Sequence, residues 1–411
     1  MAMKLWFKYL AGIAFGALLF WVSPPSLFEP GAAFFHAAEI AMKIGFYILE
    51  LLLLVNLPLA VVKLYEEKRF WGLTLKSLVF FALSLLAATV LGLAAALLVL
   101  PIRLPLLSDI AAPAAQGTGK GLLEFFPANI SELLLRSGER PLPALFLSLC
   151  IGLAMAHDPI AAKPFTNILD SFSRILHTIN VFITEIAGAL LIPISARAFH
   201  LMASTLKQGI YGSFLLYLGS ACLGLLFIVL PLALYILGEK KNPLPLLYSG
   251  LPAALAGMSS GSPRFALGII IRQSRENQGI KRRYNAVFLP SGLFAGRIGT
   301  AFIAAFSFIA VLSSYSQLTI SIPRLLLIAV LIPMATLAAS SSLSSGPIGV
   351  ITLACGLFGR GFENGYLIIV PVAFVLSMMA GFLDALWIGT AQSLVARGSL
   401  RPDSKDPRNF I

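Results

Sequence analysis

The chain has 411 residues, of which 58% are hydrophobic and only 12% charged, with a mean hydropathy of +0.90. These values exclude an ordinary soluble globular protein and describe a polytopic membrane protein that lives in a lipid bilayer. The net charge of +12 would suggest nucleic acid as a partner for a soluble chain, but here the cations cluster between apolar runs, where they report orientation and give no sign of a nucleic-acid surface.

Apolar stretches long enough to cross roughly 30 Å of hydrocarbon are read at 5–22, 38–62, 73–101, 142–157, 166–196, 211–237, 284–312 and 365–396. The first has no small-residue cleavage site and runs straight into Pro24 and Pro25, so it is read as a retained helix rather than a signal peptide. With the N-terminus inside, one side of the membrane receives Lys63, Lys68, Arg69, Lys240, Lys241 and the run 281–283 among others, more than twice the cations of the opposite side. The positive-inside rule then puts both termini in the cytoplasm of a plasma, or cell inner, membrane. Between the third and fourth spans, residues 103–140 carry prolines and glycines that suit an extracellular connection without chemistry of its own.

Cys150, Cys222 and Cys355 all sit in apolar segments and make an odd number, as free buried thiols do. His36, His157, His177 and His200 are scattered without a zinc signature, so neither a metal site nor a cofactor is expected. The serine-rich stretches described next have no His or Lys placed by sequence to activate a nucleophile, which argues against an enzyme.

Two regions do not fit simple hydropathy. Residues 242–280 hold two short apolar arms around the polar tip GMSSGSPR, and residues 322–362 hold two more around SSSLSSGP. Both have the shape of helical hairpins that enter the membrane and turn back. Irregular backbone at that depth survives only where protein buries it or where it lines a cavity, and a matched pair of broken segments points to a transporter's substrate site. A Ser/Gly-rich packing surface is the plainer alternative for either tract alone.

Three stretches carry a family resemblance along nearly the whole chain. FFPANISELLLRSGERPLPALFLSLCIGLAMA at 125–156 leads into the fourth span. GMSSGSP at 257–263 is followed by FLPSGLFAGRIGTAF at 288–302, and SSSLSSGPIGVITLACGL at 340–357 by GFLDALWIGTAQ at 381–392. In this order and spacing they resemble the dicarboxylate/amino acid:cation symporter family, the glutamate-transporter fold.

The resemblance implies an all-α protein of eight transmembrane helices plus two re-entrant helical hairpins, a homotrimer working as an elevator-type transporter. It divides the chain into scaffold helices 1 and 2 at 1–70, transport-domain helix 3 at 71–102, an extracellular loop with scaffold helices 4 and 5 at 103–205, the rest of the transport domain at 206–400, and a cytoplasmic tail at 401–411. The expected cargo is a small carboxylate, an amino acid or a dicarboxylate, moved with Na+ or H+ as a possible coupling ion. The substrate-facing set carried over is Ser259, Ser260 and Gly261 in the first tip, Ser342, Ser344, Ser345 and Gly346 in the second, with Thr300 and Asp384 from the helices behind.

The departures are as informative. The family's seventh helix carries an Asn-Met-Asp-Gly-Thr core whose carboxylate and carbonyls hold sodium; here the residues read Gly296-Arg297-Ile298-Gly299-Thr300. The carboxylate is gone and a cation stands beside its place. The arginine that clamps an acidic side chain falls at Trp387, and the sodium-site Asn and Asp fall near Ala391 and Val395, leaving Gln392 as the nearest polar group. Hard cations need several oxygen ligands, usually including a carboxylate, so no metal site is assigned. An intramembrane arginine demands a partner, and Asp384 is the expected one. Three roles are open to Arg297: a permanent replacement for sodium's charge, a clamp on a substrate carboxylate, or a structural pair with Asp384. Arg264 is either a substitute clamp or a cation reaching for the interface. Glu39, Glu50, Asp170 and Glu185 are either interface pairs or relay groups. A sodium-independent exchanger, or a transport-dead sensor or channel of the same fold, stands as the alternative function.

Overall fold

A computed structural model describes residues 4–47, 49–99, 104, 141–207, 209–238, 240, 242–315, 321–340, 346–359, 362–397 and 410. Among these residues the secondary structure is helical. Helix α1 spans Leu5–Val22, α2 Ala33–Phe46, α3 Leu49–Glu66, α4 Phe70–Val99, α5 Pro141–His157 and α6 Pro159–Lys207. Helix α7 spans Gly212–Leu237 and includes one π-helical turn. Then come α8 (Leu244–Ser260), α9 (Leu267–Glu276), α10 (Arg282–Ala295), α11 (Ile298–Tyr315), α12 (Ile322–Ala339), α13 (Pro347–Phe358) and α14 (Ala373–Arg397).

Among the described residues eight segments are long and apolar enough to cross a membrane, as many as the sequence reading gives, although their membership differs. The described part of α5 is a shorter apolar helix, whereas α12, the first arm of the second hairpin, reaches 18 residues and qualifies by length and composition. The span read at 166–196 is the middle of α6, whose 49 residues run to about 74 Å at 1.5 Å per residue. Its ends are too polar for hydropathy to detect.

Large apolar side chains stand exposed along the outside, among them Trp21, Leu83, Phe182, Phe227 and Leu326. In water such a surface would aggregate; here it is the face offered to lipid or to another subunit. Helix α12 shows the logic within one element. Ile322, Leu326, Val330 and Met334, four residues apart, are exposed, while Ile328, Ile332, Ala335 and Ala339 are buried. The spacing is one helical stripe out and another in.

The segment 282–314 is buried throughout its most apolar window, so α10 and α11 form the centre of the molecule. One apolar core gathers α4, α7, α11, α12, α13 and α14, and another gathers α1, α2, α3 and α6 with α8, α9 and α10. Helices α8 and α14 cross at Gly257 and Gly381, where a Cβ on either residue would overlap the other's backbone. Small residues at a crossing let two membrane helices gain dispersion contacts that lipid cannot offer.

In both polar tracts the flanking helices pack on each other, α8 on α9 and α12 on α13.

Candidate functional site

The central helix breaks at Gly296 and Arg297. Pro290 lies within α10, the Gly296 N–H closes the last turn onto the Gly292 carbonyl at 2.7 Å, and α11 starts at Ile298. A new helix exposes amide groups without intrahelical partners, and Asp384 of α14 supplies the acceptors. Its Oδ1 accepts from the amides of Gly299 (2.6 Å) and Thr300 (3.1 Å), and its Oδ2 from the Thr300 hydroxyl (2.5 Å). The carboxylate is thus an N-cap delivered by another helix, at the end where the helix dipole favours negative charge. Arg297 brings its Nε to 3.9 Å from the same Oδ2, and both residues are buried, at 1% and 0% exposure. The close packing needs glycine, because a Cβ at position 299 would stand 2.5 Å from the Leu383 Cβ and 2.9 Å from the Ala380 carbonyl.

One face of α14 joins this break to both hairpin tips. Ser377, Gly381 and Asp384 lie four and three residues apart, hence on one side of the helix. A Cβ placed on Gly261 of the first tip would meet the Ser377 Cβ at 3.5 Å, and one on Gly346 of the second would meet the Ser377 hydroxyl at 2.6 Å. Gly261 has φ +67 and closes α8 with a left-handed residue, a conformation glycine adopts without strain. Gly346 precedes Pro347 at the start of α13. Ser377 therefore stands close to both Gly261 and Gly346. Sequence reasoning missed it, since it is one serine in an apolar span whose only distinction is its spacing of seven residues from Asp384.

The other expected site residues fall into groups. Ser259 and Ser260 are buried and donate their hydroxyls back to the carbonyls of Leu255 (3.0 Å) and Ala256 (2.8 Å), leaving oxygen lone pairs rather than protons for anything nearby. Ser342, Ser344 and Ser345 lie outside the described residues. Gln392 is fully buried, two turns beyond Asp384, and neither its amide nitrogen nor its oxygen has a hydrogen-bond partner among the described residues. Trp387 turns to α4, stacked on Phe80 at 6.0 Å and donating to the Ser84 hydroxyl at 3.2 Å. Arg264 leans across Phe46 and pairs with Glu50 of α3 at 2.8 Å.

That last pair belongs to a series. Arg272 of α9 reaches Glu185 of α6 at 2.7 Å, and Lys8 of α1 shares the same carboxylate. Arg282 meets Asp170 of α6 at 3.1 Å, and Arg283 meets Glu67, just beyond α3. Every arginine comes from the α8–α9 turn, α9 or the start of α10, and every carboxylate from α6, α3 or the residue that follows α3. Asn180 of α6 adds a hydrogen bond to the Gly268 carbonyl at 2.9 Å. Glu50, Asp170 and Glu185 are thus interface partners in this structure, while Glu39 lies 3.9 Å from His36 on its own helix. The sequence lists these charges but cannot match them, because partners are 100 or more residues apart in several cases.

The arrangement is a break in a central helix, capped by a carboxylate, with Gly261 and Gly346 packed on the same face of α14. It offers helix ends and small polar residues around one point, with a buried cation and anion already balanced. No curated protein matches the chain. The family model described as the sodium:dicarboxylate symporter family matches residues 2–397, nearly the whole chain and every element of this site, and the chain therefore belongs to that family of membrane transporters.

Proposed function

We propose that the protein is a secondary active transporter for a small carboxylate solute, an amino acid or a dicarboxylate, bound between the two hairpin tips on the Ser377 face of α14. The observation that carries this reading is the approach of Gly261 and Gly346 to the same serine. A solute lodged there meets the N-terminal end of α13, whose first amides favour an anion, and the free lone pairs of Ser259 and Ser260, which accept from an ammonium group. Trp387 stands where the family places a side-chain clamp, which suits a neutral amino acid or a short carboxylate as well as an acidic one.

Arg297 replaces the charge of a coupling cation. It is the cation at the α10–α11 break, and beside Asp384 it leaves the break without net charge, the condition that a bound sodium ion meets elsewhere in the family. Transport then proceeds without sodium, with the two hairpins, α4, α7, α10, α11 and α14 moving as one body against α1–α3, α5 and α6 in a homotrimer whose termini are cytoplasmic. Gln392 favours a second reading. Its unused amide is a polar group with spare oxygen capacity near the family's cation positions, and it would serve a retained sodium symport.

Uptake into proteoliposomes tests the proposal. Radiolabelled aspartate, alanine and succinate are offered with sodium, potassium or a proton gradient. Saturable counterflow of one of them at equal rates in sodium and potassium is expected; uptake that needs a sodium gradient would establish the second reading, and none under any condition would reject transport of these classes.

A further inference from the structure

We infer a binding site for a phosphate-type anion, remote from the hairpin tips, in a cavity of about 600 Å³ between α3, α6 and the α9–α10 junction. Among the described residues six cations line it: Lys63, Arg174, Arg275, Lys281, Arg282 and Arg283. They come from α3, α6, α9, α10 and the α9–α10 junction, so the fold brings together charges that lie far apart along the sequence. The carboxylate in the wall is Asp170, which already shows what the cavity recognises. It bridges Arg174 of its own helix (2.9 Å) and Arg282 of α10 (3.1 Å).

Asp170 holds Arg174 and Arg282, and Glu67 holds Arg283. Lys63, Arg275 and Lys281 make no ion pair among the described residues, and all three are exposed to the cavity and its mouth. Like charges converging in a concave space raise the local positive potential, and a polyvalent oxyanion relieves it while accepting charge-assisted hydrogen bonds from both ammonium and guanidinium groups. Because Lys63 belongs to α3 and Arg275 and Lys281 to the first-hairpin side, the anion joins the same two groups of helices that the arginine pairs join. Its occupancy therefore strengthens the hold of α3 and α6 on the first hairpin. The oxyanion can be a phospholipid headgroup or a soluble phosphate.

Thermal melting of the full chain separates the sources and does not depend on which solute is carried. One arm titrates detergent-purified protein with inorganic pyrophosphate against sodium chloride of matched ionic strength. The other compares nanodiscs of phosphatidylcholine with and without phosphatidic acid. Pyrophosphate stabilisation of about 2–4 °C at ten times half-saturation identifies a soluble phosphate; stabilisation by phosphatidic acid alone identifies a headgroup. In either case the triple variant Lys63→Gln, Arg275→Gln, Lys281→Gln raises the half-saturating concentration at least about tenfold, or removes the lipid effect. A control of equal charge loss outside the cavity, Lys68→Gln, Arg69→Gln, Lys76→Gln, keeps the response. The site is refuted if neither arm stabilises beyond chloride, if the triple variant responds like the parent, or if the control loses the response as fully as the triple variant.

Discussion

The two hairpins have the same plan and opposite attachments. The first is tied by charge: Arg264, Arg272, Arg282 and Arg283, in the turn of the hairpin, its second arm and the start of the helix that follows, each meet a carboxylate on or beside α3 or α6. The second has no ion pair on α12 or α13 among the described residues, and those helices rest on the apolar core of α4, α11 and α14 while α12 turns a stripe of large side chains outward. Ion pairs are directional and hold one position, whereas apolar contact is non-directional and lets a helix slide. In this structure the first hairpin is held against α3 and α6 by charge, and the second rests on contacts that leave it freer to shift.

The largest effect should come from the point both hairpins share. Asp384→Ala removes the cap of α11 and strands the buried charge of Arg297, a change worth about 3–5 kcal/mol, read as a steep fall in melting temperature in detergent. The double variant Asp384→Asn with Arg297→Met should recover more than half of that loss, since both charges leave together. A single variant that melts like the parent would mean that the pair is not what holds the break.

Next in size is Arg272→Gln, which breaks the first hairpin's best-formed tie. Because Glu185 is 39% exposed, the loss is discounted to about 1–2 kcal/mol. Hydrogen exchange should quicken in 267–276 and stay unchanged in 347–358. Faster exchange in both would erase the contrast between the hairpins. Gly261→Ala, at φ +67, should cost about 1 kcal/mol and weaken solute binding through the displaced tip. Arg283→Gln, whose pair with Glu67 is part exposed, should cost below about 0.5 kcal/mol, within the error of a melting curve.

Much of this plan could be read before the structure. Polar, glycine-rich tips between short apolar arms mark the two broken segments, because lipid tolerates such backbone only in protein, and the cost of an intramembrane arginine picks out Arg297 and its partner Asp384. What stayed hidden depends on tertiary approach. Ser377 looks like any serine in a span until Gly261 and Gly346 arrive at it. Helix α6 is read at two thirds of its length because Pro159, Lys163 and Pro164 at its start and Arg197, His200 and Lys207 towards its end dilute its hydropathy. The sequence reading takes Arg264 for a clamp or an interfacial cation; the structure gives it Glu50, 214 positions away. The role of Asp384 is legible as a partner for Arg297 but not as the cap of α11, which requires knowing that the central helix restarts at Ile298.

The central claim is that a carboxylate solute binds between the tips with its counter-charge built in. Ligand-induced stabilisation of the purified protein by aspartate, alanine and succinate tests it most directly, in sodium and in potassium, for the parent and for the folded double variant Arg297→Met with Asp384→Asn. Equal stabilisation in both salts by at least one solute, lost in the double variant, is the predicted result. Stabilisation that appears only with sodium, or that survives removal of Arg297, would contradict the claim.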